Sequence, residues 1–310
     1  MPEFTLSTGA ATDTGMLRDH NEDRYYLDPE HGVFLVADGV GGQTAGEVAA
    51  QLAVETIRDS LCGAGCLACG GLSSPPAPAG ERVLAAITEA NNRIFHRAQE
   101  DPDLAGMACV LTLALVEDGH VTIGHVGDSR LYLVWNGAIR KLTSDHSPVG
   151  EGEDAGELTE TEAMMHPRRN EVFRDVGSRL RQPGDRDFAE IRECRFRRDA
   201  ALLLCSDGLT DQLTAAQILS IVERYDGDAA LIATQLVEAA NEAGGKDNIT
   251  ALFVAGPEFR DRAGATRPRL STTRMRRPAR VLTGRVAFLT YGLLLGMLLW
   301  AVLRIRGFMP

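Results

Sequence analysis

Apolar positions in the first 256 residues fall into short runs, and several of these runs end beside an aspartate. The runs and the aspartates that follow them are residues 32–37 with Asp38, residues 121–126 with Asp128, and residues 201–205 with Asp207. A fourth aspartate, Asp247, instead precedes the run 249–255. Short apolar runs bounded by glycine and polar residues predict buried strands. We therefore expect each strand to bring one carboxylate to the rim of a sheet.

Helical patterns separate groups of these strands. Apolar residues recur at a spacing of three to four in four segments, which predicts helices over residues 44–61, 81–99, 215–225 and 228–243. Other strands follow one another directly, as in residues 109–116, 121–126 and 131–135, with Asp118-Gly119 predicting a hairpin turn. Helices in pairs outside antiparallel strands favour a layered α+β fold. Residues 1–256 would form this one domain.

A different pattern occupies the end of the chain. Residues 286–303 are 18 consecutive residues without a charge. As a helix they would measure about 27 Å, at the short end of what spans a bilayer. Trp300 suits an anchor at the membrane interface. A buried core helix is the alternative, but few residues follow that could cover it. We predict one transmembrane helix over residues 286–303 and a short tail over residues 304–310.

Residues 257–285 predict a basic juxtamembrane linker. They contain nine arginines and two acids, together with Pro268 and Pro278, a composition that opposes a packed core. Arginine-rich flanks tend to stay in the cytoplasm, so we expect a single-pass protein of the cell membrane with its folded domain on the cytoplasmic side. The linker is expected to contact anionic membrane lipid. Gly292 and Gly296 leave open a weak dimer through the transmembrane helix.

Charge and cysteine content narrow the choice of partners. Residues 1–256 carry a net charge of −20 and residues 257–310 a net +9, which together give the −11 of the whole chain. A body this acidic argues against nucleic acid as a partner. Cys62, Cys66 and Cys69 have a C-x3-C-x2-C spacing, but no fourth metal ligand stands near them in the sequence. Reduced thiols are therefore preferred to a metal cluster.

The aspartates at the strand ends indicate a metal site. Asp38, Asp128, Asp207 and Asp247 cannot share one site without positive charge, because like charges at short range raise one another's pKa. Carboxylates and backbone carbonyls suit hard ions such as Mg²⁺ or Mn²⁺. Two such ions about 4 Å apart can lower the pKa of a bridging water toward about 7 and so provide hydroxide for attack on phosphorus. A turn is the alternative for any single Asp-Gly.

The segment Arg18-Asp19-His20-Asn21-Glu22-Asp23 adds groups suited to the same chemistry. Arg18 offers a planar fork of donors that matches phosphate oxygens. Asp23 is a candidate to hold metal-bound water, and Glu22 to orient that water. Taken alone, the segment favours a polar surface loop.

Taken in order, these motifs resemble those of the metal-dependent serine/threonine protein phosphatases of type 2C, in particular the bacterial members. The resemblance covers residues 5–255. The motifs that carry it are Arg18 with Asn21-Glu22-Asp23, Val36-Ala37-Asp38-Gly39-Val40-Gly41-Gly42, Gly127-Asp128-Ser129-Arg130, Leu142-Thr143-Ser144-Asp145-His146-Ser147, Ser206-Asp207-Gly208-Leu209 and Asp247-Asn248-Ile249.

The resemblance implies a four-layer α-β-β-α sandwich, two antiparallel sheets flanked by helix pairs. It implies that Asp38 bridges two Mn²⁺ or Mg²⁺ ions, that Gly39 ligates through its carbonyl, and that Arg18 clamps the substrate phosphate. The remaining roles that it implies are the second ion at Asp207 and Asp247, a contact through water at Asp23, a weaker third ion at Asp128 and Asp207, and supporting positions at Glu22 and Asn248. Residues 148–181 resemble the mobile flap of the family, with Thr159 as a helix cap.

The expected function is hydrolysis of phosphoserine and phosphothreonine in proteins, opposing a bacterial serine/threonine kinase. One departure concerns the leaving group: eukaryotic relatives carry a histidine where this chain has Val40, so the general acid stays open between a metal-bound water and His166. A catalytically silent module that binds phosphoproteins at the membrane is the main alternative. A metal-dependent phosphodiesterase is a further one.

Overall fold

The structure is a computed structural model that describes residues 5–41, 45–63, 77–182, 184–185 and 187–260. Its strands are β1 (Ser7–Asp13), β2 (Arg24–Asp28), β3 (Val33–Val40), β4 (Ala108–Glu117), β5 (His120–Val126), β6 (Arg130–Trp135), β7 (Ala138–Lys141), β8 (Glu190–Arg195), β9 (Ala200–Cys205) and β10 (Ile249–Ala255). Its helices are α1 (Ala45–Cys62), α2 (Ala79–Glu100), α3 (Pro148–Asp154), α4 (Glu160–Met164), α5 (Asp207–Thr210), α6 (Ala215–Val222) and α7 (Ala229–Glu242), with a 3₁₀ turn over Pro102–Leu104.

The strands form two sheets of five, and every pair of neighbouring strands is antiparallel. One sheet has the order β1-β10-β9-β6-β7 and the other the order β2-β3-β4-β5-β8. Helices α1 and α2 pack on the second sheet, and α6 and α7 pack on the first. The predicted pair of antiparallel sheets with flanking helices is thus confirmed.

Three apolar clusters correspond to the three spaces between the four layers. Alternation along β3 shows the division: Val33, Leu35 and Ala37 face the helices, whereas Phe34 and Val36 face the other sheet. Strands β9 and β10 alternate in the same way, with Leu202 and Leu252 among the residues between the sheets. Because side chains along a strand alternate between its two faces, one strand supplies both layers.

The strands that the apolar pattern did not identify are the four edge strands, β1, β2, β7 and β8. Central strands are covered on both faces and read as continuous apolar runs, but edge strands carry polar residues and leave fewer positions fully buried. Strand β8, with the sequence EIRECR, has no fully buried residue. Its polar composition gave no strand signal.

Several local predictions are confirmed, and some bounds differ. Asp118 and Gly119 both adopt positive φ, 48° and 74°, as a two-residue hairpin turn of this type requires. Thr159 caps α4 in a capping box with Glu162. Strand β3, however, does not end before Asp38 but continues to Val40, so this aspartate lies within the strand. The reason is that β4 pairs with β3 as far as Val40.

The folded domain continues past residue 256. Phe259 is 9% exposed and packs on Tyr225 and Phe253, with ring centroids 5.4 and 5.8 Å away. The predicted helix over residues 286–303, the tail over residues 304–310 and most of the linker over residues 257–285 lie outside the described residues. Within the described ranges, no helix has both the length and the apolar character needed to cross a bilayer.

Candidate active site

Five aspartates from distant parts of the chain meet at one end of the space between the two sheets. They are Asp23 before β2, Asp38 in β3, Asp128 after β5, Asp207 at the start of α5 and Asp247 before β10. Strands β3 and β5 both run antiparallel to β4, so their carboxyl ends lie at the same edge. In the facing sheet, the end of β9 lies beside the start of β10 for the same reason.

Asp23 is the most enclosed member of the cluster, at 1% exposure. Ser206 Oγ and Thr250 Oγ1 both donate hydrogen bonds to its Oδ2, at 2.7 and 2.6 Å. Its other oxygen, Oδ1, is buried and has no hydrogen-bond partner among the described residues. Burial raises the pKa of Asp23 to about 6, although the two hydroxyl donors oppose that rise.

The neighbouring carboxyls are also hard to ionise together. Burial raises the pKa of Asp38 well above its ordinary value, and repulsion from Asp23, Asp207 and Asp128 adds to the effect. Burial likewise raises the pKa of Asp207, with repulsion from Asp128 next in size. The pKa of Asp128 rises to about 7, mainly through burial. The described side chains around the cluster bring too little positive charge to keep all five carboxylates ionised.

Divalent cations fit this arrangement. Within the described part of the chain, Asp23, Asp38, Asp128 and Asp207 form no salt bridge, although Asp247 does. The buried Oδ1 of Asp23 requires a partner that is not a described protein donor, since a buried polar atom without one is costly. Carboxylate oxygens are the ligands that Mn²⁺ and Mg²⁺ prefer. The five aspartates therefore suit these ions.

Gly39 is needed for packing at this point. A Cβ on Gly39 would lie 2.3 Å from the carbonyl oxygen of Gly46 and 2.9 Å from that of Glu22. Only glycine lets the first turn of α1 approach β3 this closely. The backbone of α1 and the backbone of the segment before β2 thus both lie against Gly39.

Arg18 lies at the open side of the cluster and is half exposed. Its Nη2 donates to Asp247 Oδ2 at 2.6 Å, with 49% of the Arg18 side chain exposed. A guanidinium has five N–H donors, and the contact with Asp247 uses only one of them. The others remain available to bind a second anion from solvent. The geometry brings Arg18 to the carboxylates, as the sequence predicted.

Asn248 connects the segment that carries Arg18 to the start of β10. Its Oδ1 accepts from the backbone N–H of Glu22 at 2.8 Å. Its Nδ2 donates to the carbonyl oxygens of Thr14 and His20 at 2.9 and 2.8 Å. Glu22 itself extends to Gly46 at the start of α1, and its pKa is raised by burial. Both supporting residues named from the sequence lie beside the cluster.

The flap, residues 148–181, borders the cluster on another side. A pocket there is lined by Asp128, Asp207 and Asp211 from the domain and by Glu160, Ala163 and Arg169 from the flap. Arg169 Nε donates to Asp211 Oδ2 at 2.5 Å. Glu160 Oε1 accepts from the backbone N–H of Ala215 at the start of α6 at 2.6 Å. These two contacts hold the flap against the domain.

Sequence reasoning missed some residues of the site. The hydroxyls of Ser206 and Thr250 hold Asp23, and Asp211 joins the pocket one helical turn after Asp207. The sequence did offer a signal for these three residues, because each lies within four positions of an aspartate that was predicted to bind metal. The sequence identified Arg130 only as part of a motif. In the structure, its Nε and Nη2 donate to Asp145 Oδ2 at 2.9 and 2.6 Å. This contact orders the turn that follows Asp128.

The structure does not favour His166 as the general acid. Val40 is exposed, and His166 Nδ1 accepts from the backbone N–H of Arg168 within its own turn. No contact within the described ranges joins His166 to the five aspartates. Of the cysteine motif, Cys62 ends α1, whereas Cys66 and Cys69 lie outside the described residues.

Comparison with known proteins agrees with this geometry. The family model described as protein phosphatase 2C matches residues 18–249. The serine/threonine phosphatase Stp of Listeria innocua is 36% identical over 246 residues, covering 78% of this chain and 93% of that protein.

Solved structures are similar over the same region. The serine/threonine phosphatase PstP of Mycobacterium tuberculosis superposes with a TM-score of 0.69 at 30% identity, covering 81% of this chain and 98% of that one. A PstP catalytic domain in complex with two manganese ions gives 0.68 at 29% identity, covering 82% and 99%. The resemblance inferred from the motifs is therefore confirmed, and the chain belongs to the protein phosphatase 2C family of metal-dependent serine/threonine protein phosphatases.

Proposed function

We propose that this chain hydrolyses phosphoserine and phosphothreonine in proteins by a mechanism that uses two Mn²⁺ or Mg²⁺ ions. The observation that carries the proposal is the buried, unpaired Oδ1 of Asp23, which belongs to a cluster of five aspartates. A purely structural carboxylate would be expected to have both oxygens paired.

Asp38 and Asp207, with Asp247 and the carbonyl of Gly39, are the groups that would hold the two ions. Asp23 would act through water, and Asp128 would help to hold a weaker third ion. When bound, the ions acidify water to give a nucleophile near neutral pH and offset negative charge on the phosphoryl group. Asp23 is buried and Asp38 is partly buried, and this shielding from bulk solvent strengthens their electrostatic contacts.

The protein's own groups position the substrate. Arg18 binds phosphate oxygens through the guanidinium donors that Asp247 does not occupy. Asn248 fixes the backbone from Thr14 to Glu22, so that Arg18 enters the site from a constant direction. The flap supplies the charged side of the pocket, where residues flanking a phosphoserine or phosphothreonine would lie.

Anchoring in the cell membrane and a serine/threonine kinase as partner are further parts of the proposal. The uncharged run over residues 286–303 and the nine arginines before it support a single span with the folded domain on the cytoplasmic side. An enzyme held there would act on phosphoproteins close to the membrane, including a kinase that phosphorylates them. The same features support contact with anionic lipid and leave a weak dimer through Gly292 and Gly296 open.

The variant Asp38→Asn tests the proposed chemistry. We expect kcat on a phosphothreonine peptide with Mn²⁺ to fall by more than about 100-fold, the scale on which the loss of one preorganised electrostatic contact slows an enzyme. Asp59→Asn is the control, because Asp59 lies exposed on α1 beside Arg58. Normal turnover by Asp38→Asn would contradict the two-ion site. Peptide binding by the unaltered protein without any turnover would instead support the silent module.

A further inference from the structure

A group of metal-ligating side chains lies outside the catalytic cluster. Asp28, His31 and Cys62 each place one ligand atom within 4.8 Å of the other two. Asp28 ends β2, His31 lies in the turn to β3, and Cys62 is the last residue of α1. The cysteine spacing in the sequence marked Cys62 as a possible metal ligand, but it did not identify Asp28 or His31 as ligands of the same ion.

The topology separates this group from the catalytic aspartates. Strand β2 starts beside Asp23 and ends five residues later at Asp28, a distance of about 17 Å along the strand. Helix α1 starts at Ala45, close to Gly39, and its 18 residues carry Cys62 about 27 Å away. The group therefore lies at the opposite end of the β2–β3 hairpin.

Two of the three proposed ligands, Asp28 and His31, are held in place before any ion binds. Asp28 Oδ1 accepts from the backbone N–H groups of Glu30 and His31 at 3.0 and 3.1 Å. Asp28 Oδ2 lies 3.0 Å from its donor Tyr26 Oη and 2.8 Å from His31 Nδ1. Burial alone would raise the pKa of Asp28, but these hydrogen bonds hold it below its ordinary value, so the carboxylate is ionised.

The turn is also fixed against the sheet. Gly32 has φ 69°, and its carbonyl accepts from Val116 N–H at 2.8 Å. A Cβ on Gly32 would lie 2.2 Å from the carbonyl oxygen of Val116. His31 thus projects from a backbone with little freedom, while 47% of its side chain stays exposed and open to a solvent ion.

From this arrangement we propose that Asp28, His31 and Cys62 form a second metal site, selective for Zn²⁺, that joins the β2–β3 turn to the end of α1. Zinc binds thiolate, imidazole and carboxylate at about 2.0–2.3 Å, which places its ligands about 3.5 Å apart. A separation within 4.8 Å needs only small side-chain movements to reach that geometry. Thiolate and imidazole ligands favour zinc over Mg²⁺ and Mn²⁺, whereas the catalytic aspartates offer only oxygen. Exposed His31 leaves a coordination position for water.

Cobalt is the probe that separates the two kinds of site, because a thiolate ligand gives Co²⁺ a strong near-ultraviolet charge-transfer band and oxygen ligands do not. Co²⁺ is titrated into the full-length, tag-free, reduced protein saturated with Mn²⁺. We expect the band to appear with one equivalent of Co²⁺ and to disappear when Zn²⁺ is added. Absence of the band would overturn the proposal and leave Asp28 and His31 as an ordinary hydrogen-bonded pair at the surface.

Two variants test the ligands, and a third is the control. Cys62→Ser and His31→Gln should each weaken Co²⁺ binding by more than about 100-fold, beyond the 10–100-fold typical of residues that only support a ligand. Cys194→Ser, at a partly buried cysteine of β8, should leave the band unchanged. An unchanged affinity in either of the first two variants would overturn the proposal. His31→Gln replaces a half-exposed side chain, so it keeps the test valid if Cys62→Ser folds poorly.

Phosphatase activity with Mn²⁺ provides an independent readout. None of the three ligands belongs to the catalytic cluster, so Cys62→Ser and His31→Gln should keep their kcat. Zn²⁺ should raise the Tm of the Mn²⁺-saturated protein and leave the Tm of both variants unchanged, because only the intact site binds the folded state preferentially. An equal Zn²⁺-dependent rise in the variants would contradict the site.

Discussion

At the scale of single residues, the site depends on how Asp23 is held. Two hydroxyls use one of its carboxylate oxygens and leave the other buried and unpaired. Thr250 lies on the same face of β10 as Leu252, and Ser206, directly after β9, stands two residues beyond Leu204; both leucines lie between the sheets. The alternation that builds the core therefore also carries the donors that orient Asp23.

Arg18 provides a prediction at this scale. Arg18→Ala should raise KM for a phosphothreonine peptide by about tenfold or more, with a smaller change in kcat, because a charge-assisted contact to the phosphate is lost. Steady-state kinetics with Mn²⁺ measures both constants. Arg58→Ala is the control, since Arg58 is similarly exposed but lies on α1 beside Asp59. An unchanged KM would remove Arg18 from the phosphate site.

At the scale of elements, the site is assembled by short connections between strands. The segment before β2 has no regular structure from Thr14 to Asp23, so its position depends on Asn248 at the start of β10. The flap depends on Arg169 and Glu160 in a comparable way. The sheets supply a rigid edge, and single polar side chains attach the loops to it.

Asn248→Ala should therefore affect both stability and activity. It leaves the Glu22 N–H and two carbonyls without their protein partner, which should cost about 2–3 kcal/mol of unfolding free energy. We also expect kcat to fall, because Arg18 and Asp247 lose their shared support. Urea unfolding and kinetics on one preparation measure the two effects. Asn170→Ala, at an exposed position of the flap, is the control, and normal kinetics in Asn248→Ala would show that this support is not needed for catalysis.

At the scale of the whole molecule, charge links folding to metal binding. Raised carboxyl pKa values stabilise the metal-free fold below about pH 4, where these groups are protonated in both states. That stability is lost as pH rises through about 6 for Asp23 and about 7 for Asp128. Buried His146, whose pKa burial lowers to about 3, acts in the opposite direction, since it favours the fold once pH exceeds the ordinary histidine value.

The stabilisation by Mn²⁺ should consequently grow with pH. We expect the difference in Tm between Mn²⁺-saturated and chelator-treated protein to widen from about pH 5 to about pH 8, because Mn²⁺ needs ionised ligands and relieves their repulsion. Taking the difference at each pH cancels the contribution of His146. Scanning calorimetry in both states gives the measurement. A gap that is constant with pH would show that the carboxylates are not the groups that bind the ion.

The extent of the folded domain gives a last prediction. A chain ending at residue 256 lacks Phe259 and should lose about 3 kcal/mol relative to one ending at residue 260, the usual cost of deleting a buried phenylalanine. The longer fragment should be soluble and keep full activity. Urea unfolding measures the stability of both fragments, and steady-state kinetics measures their activity. Phe259→Ala in the full chain should reproduce the loss. Equal stability of the two fragments would show that this aromatic contact contributes little.

The sequence by itself determined the family, the six central strands, the four long helices and the aspartates of the site, because each leaves a local signal: an apolar run, a helical spacing or a short motif. Tertiary structure decided what has no local signal. The edge strands form because central strands offer them hydrogen-bond partners. The donors of Asp23 lie 183 and 227 residues away along the chain, and Cys62 meets His31 only because α1 returns along the β2–β3 hairpin. Contacts of this kind depend on how the layers pack, so they cannot be predicted from any single stretch of the sequence.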